Sequence, residues 1–376
     1  MIKKRVLFVI PEYSHGGTNK SLENLLQFID FTKYEVSIYS LYEDGGFLYK
    51  DIFKPYIARK SFLYVLAHDN LYTRKVMGLF IRLIPSLSYE WLYKYEANRL
   101  QKLYDVVVAF QEGSATEFVS YMHDIRNKIA WVHCDYGERW KKNKNNYELE
   151  LYRCFHTIVT VSDSAFNSFV SVYPELKNHA LCIYNTIDTE KINELSNEIA
   201  NPYPENNTFI IMSVGRFVKG KQFYLIPDIV LQLKRLTNQK FCWYVIGDGA
   251  DRQNVHNRIK DLGLENDIVL LGAKDNPYPF FKHADLHVCT SESESFSYTV
   301  AEAKILHTPV LCNDFPVSAE VVTEHDGWIC NVKDMALKLK DILEDSNNIY
   351  TDVKKSILNF RYNNDIIIKK LDGILC

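Results

Sequence analysis

The chain has 376 residues and a formal net charge of −3 at pH 7. At about 150 residues per domain, that length points to two domains with sizeable cores. The charge balance argues against a nucleic-acid binder, which normally carries a strong basic excess, and no apolar run approaches the roughly 20 residues of a membrane span.

The first predicted element is a strand over 5–10. The start of the chain resembles the charged and apolar regions of a signal peptide. Pro11, Glu12 and Tyr13 and then a Gly-Gly turn follow directly, however, with no small-residue cleavage site. Further strands are expected at 35–41, 106–110, 129–132, 157–161 and 181–184, and then at 209–213, 242–246, 268–272, 286–289 and 310–312. Helices between them are marked by apolar periodicity, as in Leu22, Leu25, Leu26 and Ile29. This alternation, repeated twice, predicts an α/β protein with two doubly wound, Rossmann-like domains. The polar, proline-bearing stretch 197–207 is the linker candidate. The expected division is 1–195, 196–350, and a terminal helix over 351–376. The eight cysteines include no Cys-x-x-Cys pair and lie mostly in apolar runs, which fits a reducing cytoplasm.

Ligands of open α/β sheets bind beyond the carboxyl ends of the strands. The first such end carries His15-Gly16-Gly17-Thr18, where the glycines let a helix start approach a ligand, although most Gly-Gly pairs mark only a turn. The strand over 106–110 runs into Gln111-Glu112-Gly113, expected on the acceptor side. Next comes Trp131-Val132-His133-Cys134-Asp135, with His133 and Asp135 as polar candidates. His133 also fits a simple loop-holding role.

In the second half, Val214-Gly215-Arg216-Phe217-Val218-Lys219-Gly220-Lys221 follows a strand and precedes a helix predicted over 223–236. A guanidinium and an ammonium on one turn suit a diphosphate. The most informative stretch is Glu294-Ser295-Phe296-Ser297-Tyr298-Thr299-Val300-Ala301-Glu302. It predicts a loop carboxylate, a helix start that favours phosphate, and a second carboxylate inside the helix. Thr299-x-x-Glu302 equally fits a capping box, in which the glutamate only ties back to the helix start.

Gly215-Arg216 with Lys221, then Gly247-Asp248-Gly249, then Glu294 and Glu302 resemble, in order and spacing, the donor half of retaining glycosyltransferases of the GT-B fold, most like family 4. The resemblance covers roughly 205–330 and implies two Rossmann-like domains facing a central cleft. It implies an N-terminal acceptor-binding domain, a C-terminal nucleotide-sugar-binding domain, and a terminal helix packing back on the first. It also implies transfer of a hexosyl group from a nucleotide diphosphate sugar, UDP-sugar favoured, with retention at the anomeric carbon. Arg216, Lys221, Phe296, Ser297, Tyr298, Thr299 and Glu302 would bind the donor, together with Gly16 and Gly17. Glu302 would take the ribose hydroxyls. Glu294 and His133 would act on the transferred sugar. The family usually has Glu-Gly-Phe-Gly where this chain has Glu294-Ser295-Phe296-Ser297, which narrows the loop's backbone freedom and adds hydroxyls near the donor.

No Asp-x-Asp occurs. The expectation is therefore a metal-independent enzyme without cofactor, in which cations and the helix end neutralise the diphosphate. The segments 74–87 and 139–144 mix basic and aromatic residues. They suit either a membrane surface or a core helix and a solvated loop. On the first reading, the acceptor is a lipid-linked saccharide for surface polysaccharide such as capsule, and the protein works in the cytoplasm at the inner face of the membrane. Three rivals remain. A NAD-dependent dehydrogenase would want Gly-x-Gly-x-x-Gly at the first strand, which is absent. A sugar-nucleotide epimerase of the same fold would need no acceptor. A non-catalytic sugar-nucleotide-binding protein would not need Arg216, Lys221, Glu294 and Glu302 together.

Overall fold

The computed structural model describes residues 2–13, 16–42, 47–58, 89–143, 147–205 and 208–376. His15 and the segment 74–87 lie outside the described residues, as does Lys144 at the end of 139–144.

The chain divides into two units, one of Met1–Ile187 with Asn363–Cys376, the other of Asp188–Tyr362. Each holds a six-stranded, all-parallel sheet. The first sheet contains β1 (Lys4–Ile10), β2 (Tyr34–Ser40), β3 (Val106–Ala109), β4 (Asn127–Val132), β5 (Thr157–Thr160) and β6 (Ala180–Cys182), in the order β2-β1-β3-β4-β5-β6. The second contains β7 (Phe209–Val214), β8 (Phe241–Ile246), β9 (Ile268–Gly272), β10 (Leu286–Cys289), β11 (Val310–Asn313) and β12 (Gly327–Cys330), in the order β12-β11-β10-β7-β8-β9.

The sequence explains the sheets directly. Strands covered by helices on both faces read as continuous apolar runs. In β1, Val6 to Ile10 are fully buried, and all six residues of β8 are buried. Each unit has its own core. Leu7, Val107, Phe118 and Phe169 belong to the first, and Ile211, Trp243, Leu233 and Leu339 to the second.

Two expectations about boundaries differ from the structure. The stretch 197–207 is not the divide. The helix Thr189–Leu195 and the chain after it are tied to the second unit. Asn276 Nδ2 donates to Leu195 O at 2.9 Å and to Glu198 Oε2 at 2.8 Å, and Tyr203 OH donates to Phe280 O at 2.8 Å. The last 25 residues are not one helix either. A helix over Ile349–Ser356 ends the second unit, and a separate one over Asp365–Leu375 belongs to the first. Between them, Asn364 accepts from Ile187 N at 3.1 Å and donates to Ile187 O at 2.9 Å, a side-chain pairing that competes with helix. The terminal helix is held to the first sheet by Lys370 Nζ on Cys182 O at 3.0 Å and by Asn127 Nδ2 on Ile374 O at 2.9 Å. All eight cysteines are free thiols, and no helix among the described residues is long and apolar enough to cross a membrane.

Candidate active site

In the second sheet the strand order reverses between β7 and β10, the place where ligands of doubly wound sheets bind. The loop after β7 carries Gly215 to Lys221, and the loop after β10 carries Thr290 to Ser297. The topology therefore brings together the two motifs that the sequence keeps about 75 residues apart.

The loop after β7 is fixed by the Gly247-Asp248-Gly249 turn. Phe217 N–H donates to Asp248 O at 2.9 Å, and Asp251 N–H to Phe217 O at 3.0 Å. Gly247 has φ 139° and Gly249 φ 149°. A Cβ on Gly247 would lie 1.8 Å from Gly215 O, and one on Gly249 2.6 Å from Phe217 O. Only glycine permits this approach. Phe217 is fully buried against Phe223 at 5.0 Å, while its neighbour Arg216 is exposed and makes no ion pair among the described residues.

Three links join this loop to the one after β10. Glu292 N–H donates to Gly220 O at 2.8 Å, Thr290 Oγ1 donates to Lys221 O at 2.7 Å, and Lys221 Nζ donates to Glu294 Oε1. Ser291 Oγ donates to the same Glu294 oxygen at 2.7 Å. Lys221 and Glu294 are both mostly shielded, with side chains 26% and 13% exposed. Lys221 is thus not a second open cation beside Arg216. Sequence reasoning passed over Thr290 and Ser291, whose hydroxyls lock the loop; short polar residues after a strand carry no signal of their own.

The helix Tyr298–Ile305 follows. Ser297 is its N-cap and Glu302 its fifth residue, so Glu302 does not occupy the capping-box position. Instead Glu302 is buried, and Tyr278 OH donates to its Oε1 at 3.2 Å. Tyr278 opens the helix Tyr278–His283 and was not singled out from the sequence, although the flanking Pro277 and Pro279 mark a helix start there. Phe296 is buried, and its ring meets that of Tyr298 at 4.9 Å.

Ser297 stands where the resembling family has its second glycine, and its backbone is left-handed at φ 65°, ψ 71°. That conformation costs a residue with a Cβ about 1–2 kcal/mol. Ser297 is 5% exposed, makes no cap bond, and its Oγ has no partner.

The first unit places its candidates at the ends of β1, β3 and β4. Gly16 and Gly17 begin the helix Gly17–Phe28, and a Cβ on either would meet nothing within 4 Å among the described residues. Their small size is therefore not needed for packing there. His133 follows β4, and its backbone N–H donates to Glu112 Oε2 at 3.0 Å. Its ring lies 4.9 Å from that of Phe110, and burial pushes its pKa down to about 3, against a hydrogen bond with the Phe110 backbone that works the other way. The imidazole is neutral at pH 7, and Nε2 is buried without a partner. Asp135 is occupied structurally. Its Oδ1 accepts from Ser168 Oγ at 2.5 Å and from Glu138 N at 3.2 Å, which ties down the start of the helix Tyr136–Asn143.

That helix revises the surface reading of 139–144. Arg139 Nη2 pairs with Glu148 Oε1 at 2.5 Å, Trp140 packs against the core, and Lys141 pairs with Glu138 at 2.6 Å. The arginine and the tryptophan are thus used inside the unit rather than offered to a membrane. A cavity of about 650 Å³ near the amino ends of β8 and β9, lined by Lys234, Lys240, Glu265 and Asp267 among others, is at the wrong end of the sheet for a ligand of this fold.

Comparison with known proteins agrees with the fold. Residues 196–358 match the family described as Glycosyl transferases group 1. An uncharacterized glycosyltransferase of Methanocaldococcus jannaschii is 31% identical over 195 residues, 50% of this chain and 48% of the relative. The N-acetylgalactosamine-N,N'-diacetylbacillosaminyl-diphospho-undecaprenol 4-alpha-N-acetylgalactosaminyltransferase of Campylobacter jejuni is 30% identical over 168 residues, 43% of this chain and 44% of the relative. The matched part thus spans about half the length of these relatives. The crystal structure of HepE from Anabaena in complex with UDP and glucose superposes with a TM-score of 0.73 at 16% identity, covering 99% of both chains. The chain has the GT-B fold, and its second unit carries the segment that matches the group 1 glycosyl transferases.

Proposed function

We propose that the protein is a retaining glycosyltransferase that moves a hexosyl group from a nucleotide diphosphate sugar, UDP-sugar favoured, to a saccharide acceptor. The observation that carries this is the grouping of Arg216, the Lys221–Glu294 pair, Glu302 and the amino end of the helix Tyr298–Ile305 at the switch point of the second sheet. An exposed guanidinium and a helix start suit a leaving diphosphate. Two separate carboxylates suit hydroxyls, those of the ribose at Glu302 and those of the sugar at Glu294. The match of 196–358 to group 1 glycosyl transferases supports the class, and the UDP and glucose bound to HepE support the donor chemistry.

In the proposed reaction the bond between the anomeric carbon and the diphosphate oxygen breaks. The acceptor hydroxyl attacks from the same face, and its proton passes to the departing phosphate. Arg216, Lys221 and the amides near Tyr298 and Thr299 stabilise the charge that grows on the leaving group. His133 is neutral, so the part proposed for it is that of a hydrogen-bonding group and not of a cation. No step requires a metal. A lipid-linked saccharide is the proposed acceptor, in line with the diphospho-undecaprenol in the name of the Campylobacter relative. Synthesis of a surface polysaccharide at the cytoplasmic face of a membrane is the corresponding setting.

The test is UDP release from a panel of UDP-hexoses with and without undecaprenyl-diphosphate saccharides, with the product anomer read by NMR. Acceptor-dependent release with retained configuration supports the reading. Isomerised nucleotide sugar without acceptor would make the protein an epimerase.

A further inference from the structure

We propose that the Ser297 hydroxyl donates a hydrogen bond to a phosphate oxygen of the bound nucleoside diphosphate, a contact that glycine at this place cannot make. The inference rests on the donor-binding reading of the second unit given above. Ser297 is 5% exposed and its Oγ has no hydrogen-bond partner, which is unfavourable for a hydroxyl removed from water. A serine at an N-cap ordinarily accepts a bond from an amide of the first turn. Ser297 makes no such bond, so its hydroxyl is not spent on the helix Tyr298–Ile305 that it precedes.

The residue also holds a left-handed backbone, at φ 65°, that glycine adopts without strain. A side chain kept at a strained place, buried and unpartnered, is one whose partner arrives from outside. An anionic oxygen at the helix start fits best, because the amides and the positive end of the helix favour it together with the hydroxyl. A sugar hydroxyl would satisfy Ser297 but gain nothing from the helix. Glu294, just before Ser295 in the chain, is already engaged by Lys221 and Ser291, so it does not claim the hydroxyl.

The experiment is calorimetric titration of wild type, Ser297→Ala and Ser297→Gly with UDP and with UDP-glucose, alongside thermal melts. Both variants are expected to bind UDP roughly tenfold or more weakly, as for loss of a hydrogen bond to a charged group. Neither is expected to melt at lower temperature, and Ser297→Gly is expected to match or exceed wild type, because its backbone strain is relieved. Unchanged UDP affinity in Ser297→Ala would overturn the proposal. So would a loss confined to Ser297→Gly, which would trace to loop stiffness, or a loss seen with UDP-glucose and not with UDP, which would move the hydroxyl to the sugar. Failure of the wild type to bind either ligand would remove the donor-site reading itself and this inference with it.

Discussion

Lys221 and Glu294 are bonded to each other, and the Glu294 oxygen that receives the ammonium also accepts from Ser291 Oγ at 2.7 Å. The cation proposed for the diphosphate and the carboxylate proposed for the sugar are therefore bonded as one pair. Lys221 holds Glu294 in place, and Glu294 restrains the charge of Lys221. A donor that reaches both must share the ammonium between its phosphate and the carboxylate.

The two halves of the pair are expected to differ on substitution. Glu294→Gln keeps the side chain's size and frees Lys221 from a full negative charge. UDP affinity should hold or rise while turnover with a UDP-sugar falls by roughly 10–150-fold, the worth of a charge-assisted hydrogen bond. Lys221→Ala should lower both, and should cost about 1–2 kcal/mol of stability because it leaves a mostly shielded carboxylate with only Ser291. Calorimetry and denaturant melts of the two variants check this. Equal losses of UDP affinity in both would mean that the pair does not act as described.

Gly247→Ala should be among the most damaging single-methyl additions in the second unit. The new Cβ would lie 1.8 Å from Gly215 O, so the turn holding Arg216 must move. A loss of roughly 2–4 kcal/mol and of donor turnover is expected. Gly220→Ala, where a Cβ meets nothing within 4 Å, serves as the comparison and should be nearly silent in thermal melts.

Tyr278→Phe removes the hydroxyl that donates to Glu302 Oε1 at 3.2 Å. Glu302 then loses one of the contacts that hold it, and UDP affinity should fall about 3–10-fold, the net worth of an ordinary hydrogen bond. The measurement is UDP titration. An unchanged affinity would separate Tyr278 from donor binding.

Burial holds the folded pKa of His133 and of His287 down to about 3, from an ordinary value of 6.5. Between those values the unfolded chain takes up protons that the folded chain refuses. Stability should accordingly fall as the pH drops from about 6.5 towards 3, by up to about 1.4 kcal/mol per pH unit for each histidine. Melts at stepped pH check this, and His133→Gln should flatten the acid slope. Above pH 6.5 neither residue contributes a pH dependence, so the rate profile should show no step that disappears in His133→Gln.

Much of this was legible in the sequence. The strands of the two sheets announce themselves as apolar runs, Gly215-Arg216 and Gly247-Asp248-Gly249 fall at strand ends, Glu294 lies in the loop after β10, and Glu302 lies in the helix that follows it. The strand β12, Gly327–Cys330, was missed because four residues with a glycine at an edge carry little periodicity. The pairing of Lys221 with Glu294 was hidden for a different reason. Their loops are 73 residues apart in the chain, and only the strand order, with β10 beside β7, makes them neighbours. The same holds for Tyr278 and Glu302, which belong to different helices. Asp135 and Arg139 looked available from composition, but the fold spends both on internal partners.

The proposal assigns neutralisation of the diphosphate to Arg216 and the helix end, and so expects no metal requirement. Transfer to a lipid-linked acceptor should persist in excess EDTA. Complete loss, restored by Mg²⁺ or Mn²⁺, would mean that an ion and not Arg216 with the helix end neutralises the diphosphate.

The most direct test of the donor site is titration of the wild type, Arg216→Ala and Glu302→Gln with UDP and GDP. The account predicts saturable binding to the wild type, UDP favoured, weakened by roughly 10–150-fold in Arg216→Ala through loss of a charge-assisted contact, and weakened in Glu302→Gln even though no sugar is attached. Wild-type affinity retained in both variants would contradict it and return Arg216 and Glu302 to structural roles.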